Sequence, residues 1–261
     1  MIRAMYTAAT GMEAQETRID VIANNLANVN TTGFKKDQSH FQDLLYQTLR
    51  APGGMTAHGS VLPGGMQVGS GVRLAGISKT FGQGSLLQTQ NQLDLAIEGR
   101  GFFRVRLPSG QIVYTRDGSF RTDREGRIVT SSGDPLEPAL EIPPDTTRVT
   151  ISREGLVTAF RADEPEGVEI GRLELVDFPN PGGLQSLGQN YFAQSEASGE
   201  PVPDYPGENG IGTISQGYLE QSNVKVVEEM IALINGQRAY EINSKVIEAA
   251  DSMLQNATRI R

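Results

Sequence analysis

Along the first part of the chain, one line of positions recurs at alternating steps of three and four residues: Ile2, Met5, Ala9, Met12, Glu16, Ile19, Ala23, Leu26 and Asn30. Apolar residues fill most of it. A 3.5-residue repeat returns side chains to one seam of an α-helix, so the pattern predicts a helix that lies along another helix. Ile22 and Val29 widen the stripe, and Glu13, Arg18 and Asp20 occupy its polar flank. A helix over residues 2–28 would be about 40 Å long at roughly 1.5 Å per residue. It should end at Thr31-Thr32-Gly33, because β-branched threonines disfavour helix and glycine accepts the left-handed C-terminal conformation. Asn24, Asn25, Asn28 and Asn30 crowd its last turns, where asparagine is a mediocre helix former. Either that end frays, or the amides bridge to backbones of neighbouring molecules in a packed assembly.

The other end of the chain repeats the device. Val227, Ile231, Ile234, Arg238, Ile242, Val246, Ala249, Met253, Asn256 and Ile260 form a second seam, with extra residues near Arg238 that would locally unwind a supercoil. Glu241 and Lys245 make a favourable i,i+4 pair. Asn235-Gly236 is turn-like, and glycine inside a helix costs about 1 kcal/mol relative to alanine, so continuity of the helix is open at that point.

Between the ends the pattern changes. All 13 prolines lie between Pro52 and Pro206, and of 30 glycines only Gly11, Gly33 and Gly236 fall outside residues 53–217. Both residues break helices. Phe41, Leu44, Leu45 and Leu49 leave residues 34–49 readable as helix or extended chain. Residues 51–76 read as a Gly-rich loop, either a floppy connector or an extended arm ordered by neighbouring subunits. From Leu93 the period shifts to two. Phe103, Val105 and Leu107 alternate with Arg104 and Arg106, and Pro108-Ser109-Gly110 turns this strand into residues 111–115. A second hairpin joins 148–151 to 156–160 through Glu154-Gly155, and 169–176 reads as one further strand. The expected fold is therefore α+β. Residues 1–34 with 222–261 form a terminal helical, coiled-coil domain. Residues 35–80 with 190–221 connect it, including the arm 51–76, to a central antiparallel β-domain at 81–189.

Charge sharpens this division. The 261 residues carry a net charge of −8, which opposes nucleic acid as a partner. Residues 1–29 are net −1 and residues 222–261 net 0, so the middle holds −7. Near-neutral ends suit close packing with copies of themselves, and an acidic middle suits a solvated surface. The N-terminus does not read as a signal peptide, because Tyr6, Thr7 and Thr10 interrupt any apolar core and Glu13 and Glu16 follow. No apolar run reaches the ~18 residues of a membrane span. Composition alone would place the chain in the cytoplasm.

Candidate chemistry is sparse. The chain has no cysteine, and its two histidines, His40 and His58, lack a second ligand at helical spacing, so neither a zinc site nor a His-activated nucleophile is supported. Residues 71–78 imitate a phosphate loop without its lysine. Gly82-Gln83-Gly84 and Gly99-Arg100-Gly101 lack the third glycine of a dinucleotide site. Asn30-Thr31-Thr32 and Asn256-Ala257-Thr258 match a three-residue glycosylation pattern. Glu164, Glu166 and Glu169 leave one enzymatic alternative, a glycan-cleaving pair of carboxyl groups, although nothing around them suggests burial that would shift a pKa. No catalytic, cofactor or metal residue is assigned.

The run Asn24-Asn25-Leu26-Ala27-Asn28-Val29-Asn30-Thr31-Thr32-Gly33-Phe34-Lys35 resembles a signature of the bacterial flagellar rod and hook family of axial proteins. The other end agrees in Gly217-Tyr218-Leu219-Glu220-Gln221-Ser222-Asn223-Val224, in Gln237-Arg238-Ala239-Tyr240-Glu241-Ile242-Asn243, and in Asp251-Ser252-Met253-Leu254. Gly99-Arg100-Gly101-Phe102-Phe103 and residues 114–120 resemble the family's β-domain. The overall length and the Gly-rich stretch after Arg50 are most similar to its distal rod branch; proximal rod members are mostly shorter and hook members longer. The resemblance implies a structural subunit that polymerises with itself into a hollow drive shaft. Implied partners are proximal rod and hook proteins, the P- and L-ring bushing and the flagellar type III export apparatus. Nucleic acid, small-molecule substrates and cofactors are not implied. Location would be the basal-body rod in the periplasmic space, reached without a cleaved signal. The expected assembly interface comprises Ile2, Met5, Met12, Ile19, Asn24, Asn25, Leu26 and Asn28, with Val227, Ile231, Ile234, Arg238, Tyr240, Ile242, Val246 and Met253.

Overall fold

The computed structural model describes residues 2–50, 65–161 and 167–259, which form two long helices and twenty short strands. Helix α1 spans Ile2–Ala27 and helix α2 spans Val226–Arg259. The chain leaves α1 where the threonine pair predicts. Phe34 N bonds back to Thr31 O at 3.3 Å and Gly33 takes φ +67°. A Cβ on Gly33 would stand 2.6 Å from Asp117 N, so both the angle and the space demand glycine. The Asn235-Gly236 pair does not break α2, which is one continuous helix.

The chain divides into two units: Met1–Leu26, Asp37–Ser78 and Val226–Arg261 form the first, Ala27–Lys36 and Lys79–Lys225 the second. The first holds the helices and two small sheets. Strand Asp37–Asp43 pairs with Val72–Lys79, and Gln47–Arg50 pairs antiparallel with Met66–Val68. Residues 34–49 are thus extended chain and not helix. Of the segment expected as loop or arm, residues 51–64 lie outside the described residues, while 66–68 and 72–76 are strand. The second strand starts against α1, where Val72 N donates to Thr10 Oγ1 at 3.4 Å. Gly71, at φ +113°, makes the turn into it so close to Thr10 that a Cβ would overlap the hydroxyl.

The second unit is antiparallel β-structure, and strands within residues 190–221 belong to it. Its main sheet centres on the predicted hairpin, Phe102–Arg106 with Ile112–Thr115, in a register that opposes Phe103 to Thr115 and Val105 to Val113. Tyr191–Ala193 and Gln185–Gly188 extend it on one side, Leu175–Asp177 and Val202–Asp204 on the other. Phe103, Val105 and Val113 enter a core with Leu95, Phe120, Ile128 and Val157. The opposite face is also covered. Phe102, Tyr114, Val176, Phe178 and Phe192 form a second core, with Tyr114 and Phe178 meeting edge to face at 4.8 Å. Such ring pairs add about 0.5–1.5 kcal/mol beyond the area they bury.

The single strand expected at 169–176 is two. Val168–Arg172 joins a three-stranded sheet with Leu156–Arg161 and Thr146–Ile151, whereas Leu175–Asp177 joins the main sheet. Leu173 makes the crossing: its side chain is buried and its N–H donates to Gly155 O at 2.8 Å.

Candidate assembly surface

The helices of the first unit run antiparallel. Asn25 Nδ2 faces Glu229 Oε2 at 3.4 Å. One level on, a Cβ at Gly236 would meet Ile19 Cγ1 at 3.3 Å, and further along a Cβ at Gly11 would meet Asn243 Nδ2 at 2.9 Å. Gly236 therefore weakens α2 locally but lets its backbone approach α1. Along α2 the turned-in positions recur every seven residues: Glu229, Gly236 and Ala250 are buried and Asn243 is half-buried. The inner contact is thus made by small or polar side chains.

The large apolar residues point elsewhere. Val227, Ile231, Ile234, Ile242, Val246 and Met253 are 41–70% exposed, and Ile2 is 79% exposed. Arg238 and Tyr240 accompany them on the exposed surface. Met5, Met12, Ile19 and Leu26 are half-buried, Asn28 is half-buried and Asn24 is exposed. An apolar ridge of this length on one helix is unusual for a surface that stays in water.

Asn25 is held inside the first unit. It is buried and serves its own chain: Nδ2 donates to Asp37 O at 2.9 Å, and Asp37 N donates to Oδ1 at 2.9 Å. The amide completes a backbone strand-like pairing. Asn28 Oδ1 accepts from Thr31 Oγ1 at 3.2 Å, a local bond that secures the helix exit.

The second unit holds a buried charge cluster that sequence reasoning missed. Lys35 Nζ lies 2.7 Å from Glu220 Oε1, both side chains fully inaccessible, and Arg116 approaches Glu220 Oε2 at 3.4 Å. Lys35 Nζ also donates to Gly82 O at 2.9 Å, Gly84 N to Glu220 Oε1 at 2.9 Å, and Arg116 to Gly99 O at 2.8 Å. Burial lowers the pKa of Lys35 from its ordinary value; Glu220 opposes this and Arg116 adds to it. Burial likewise lowers that of Arg116 against the pull of Glu220. Around the cluster, Gly33 N donates to Glu220 O at 2.8 Å and Lys36 N to Asn223 Oδ1 at 2.7 Å. The Thr-Gly-Phe-Lys and Tyr-Leu-Glu-Gln-Ser-Asn stretches, far apart in sequence, are therefore one structural knot. Both stretches lie in the runs that carry the family resemblance, but nothing in the sequence marks their charges as buried.

Of the enzymatic alternative, Glu164 and Glu166 lie outside the described residues and Glu169 is exposed on its strand. His40 Nε2 sits 2.9 Å from Ser78 Oγ, and His58 is outside the described residues. Among the described residues no group of three acidic, histidine or cysteine side chains could hold a metal ion, and no helix is long and apolar enough to cross a membrane.

An antiparallel pair of terminal helices with an uncovered apolar ridge, and a β-unit between them in sequence, defines a class of axial structural subunit, and the comparisons agree. Residues 5–35 match the flagella basal body rod protein model, residues 96–159 the flagellar hook protein FlgE/F/G D1 domain, and residues 215–260 the C-terminal model of the flagellar basal body rod FlgEFG proteins. The chain is 46% identical over 260 residues to flagellar basal-body rod protein FlgG of Buchnera aphidicola subsp. Schizaphis graminum, covering 100% of both. It is 45% identical over 261 residues to FlgG of Caulobacter vibrioides, again over 100% of both. With FlgG of Borreliella burgdorferi the identity is 44% over 263 residues, 100% of this chain and 99% of the relative. The chain belongs to the flagellar basal-body rod protein family.

Proposed function

We propose that the chain is a structural subunit of the flagellar distal rod, polymerising with itself into a hollow shaft that carries motor torque to the hook. The exposed ridge of α2 carries this reading. A half-exposed large aliphatic side chain forgoes about 1 kcal/mol of burial. The six ridge residues together leave on the order of 5 kcal/mol per copy to be gained in contacts, before the cost of ordering. Spread along a polymer, such contacts repeat at every subunit. In this reading α1 and α2 pack as coiled coils with the helices of neighbours. The arm over residues 51–76 touches adjacent subunits and stiffens the shaft, and the acidic β-unit forms the outer surface, facing the P- and L-ring bushing. Proximal rod and hook proteins cap the two ends. The subunit reaches the periplasmic basal body through the type III export apparatus.

The test is assembly of the purified full chain at rising concentration, read by sedimentation and electron microscopy. Rods are expected. Ile231→Glu combined with Ile242→Glu should abolish them while the β-unit melts as before. Monomers under every condition, or rods undiminished by the two glutamates, would contradict the proposal.

A further inference from the structure

We infer that a groove on the helical unit is the socket into which a second copy inserts its ridge, so that copies join head to tail. This rests on the self-assembly reading above and adds its contact geometry. The groove encloses about 530 Å³. Ala4, Thr7 and Ala8 of α1 floor it, and Val68, Gly69 and Val246 wall it. Arg3 and Asn243 also line it; most of its other side chains are small and leave room for bulky ones, and the lining is mostly apolar. The matching knobs are on the same unit but at the far end of the helix pair. Val227 and Ile231 are 70% and 55% exposed beside the Asn25–Glu229 level, whereas the groove lies beyond the Gly11–Asn243 level.

The arrangement selects a second copy as occupant. Val246 is both a ridge member and a groove wall, so the socket opens directly onto the ridge and each contact runs on into the next. The two terminal segments are net −1 and 0, so no charge repulsion opposes their approach. A knob and a socket at different places on one molecule make a heterologous contact, which does not close on itself and yields an open polymer. Ridge packed antiparallel on the same ridge would instead be isologous and stop at a dimer. From Ile231 to Val246 is a fifteen-residue step, about 22 Å along a helix axis. Parallel neighbours joined this way are staggered by about that distance.

The chain has no native cysteine, which makes the test clean. Thr7→Cys and Ile231→Cys are placed in one full-length chain, assembled, and treated with a short bismaleimide. Sedimentation records the polymer separately from the cross-link. The expected result is a ladder of covalent oligomers from the double variant, dimers only from an assembled mixture of the two single variants, and no dimer from Ile231→Cys alone. A second pair, Val68→Cys with Ile231→Cys, should behave alike. Polymer without the ladder in either pair overturns the socket but leaves self-assembly standing. Dimers from Ile231→Cys alone show ridge on ridge and overturn it too. A Thr7→Cys thiol unreactive in dilute monomer means the chain covers its own groove, which also overturns it. Absence of polymer at all removes the reading beneath it.

Discussion

Replacing Glu220 by glutamine removes the anion that contacts both buried cations. Lys35 and Glu220 are fully inaccessible, Arg116 is 4% exposed, and the two cations stand 2.7 and 3.4 Å from the carboxylate. With the charge gone, an ammonium and a guanidinium face each other in a site without solvent. Breaking a buried pair from one side typically costs about 3–5 kcal/mol, because the remaining charge is left uncompensated. For a unit of this size each kcal/mol moves Tm by about 2–4 °C, so Glu220→Gln should lower the β-unit's midpoint by about 6–20 °C. Lys35→Met supplies the control. It leaves one carboxylate with one guanidinium and removes an ammonium whose pKa burial has already lowered, so its cost should be well below that of Glu220→Gln. The assay is calorimetry of dilute protein, monomeric by sedimentation. If Lys35→Met proved as damaging as Glu220→Gln or more so, the argument from uncompensated charge would fail.

Other expectations follow from local geometry and titration. Gly33→Ala must place a Cβ at φ +67° against the Asp117 backbone, and should cost about 2 kcal/mol or more in calorimetry; an unchanged midpoint would contradict the packing described. Gly236→Leu would wedge α2 from α1 at Ile19, and should lower helical circular dichroism in the monomer while the β-unit's transition stays in place. On acidification the β-unit should lose stability. Asp123 is lowered, since the Arg127 hydrogen bonds outweigh a larger single desolvation effect; Glu154 is lowered by its own backbone N–H and Ser152, and Asp204 by Asn209 and Tyr205. A carboxylate with a lowered folded pKa stabilises fully above its unfolded value, here about 4, and loses that contribution as pH falls through the folded one. Midpoints should therefore fall below about pH 4, and a midpoint rising from pH 6 to pH 2 would refute the assignment.

Much of the architecture was legible because period reports burial. The exit of α1 followed from Thr31-Thr32-Gly33, the main hairpin from the alternation at Phe103 and Val105, and the ridge of α2 from its three–four spacing. What escaped notice has a common cause: burial without an apolar pattern. The inner face of α2 is Glu229, Gly236, Asn243 and Ala250, polar or small residues with no apolar bulk to mark a buried face. The second core behind Phe102 was hidden because Arg104 marked that face as solvated, whereas Arg104 is partly covered and paired with Glu174 at 3.2 Å. Lys35 and Glu220 carry no mark of burial in the sequence, since only tertiary contact desolvates them. Leu173 gave no turn residue to show that residues 168–177 serve two sheets. The ridge itself stood out because it is exposed along its length, so its pattern is free of compromise with an internal neighbour.

The central claim is that the α2 ridge is open in the monomer and covered in the shaft. A single Ile242→Cys in the otherwise cysteine-free chain measures this directly through the rate of maleimide labelling. Exposure of 61% for this residue predicts fast reaction in dilute monomer, and at least tenfold slower reaction in sedimented rods. Equal rates in monomer and rod would mean that the ridge stays in water after assembly, and would contradict the account.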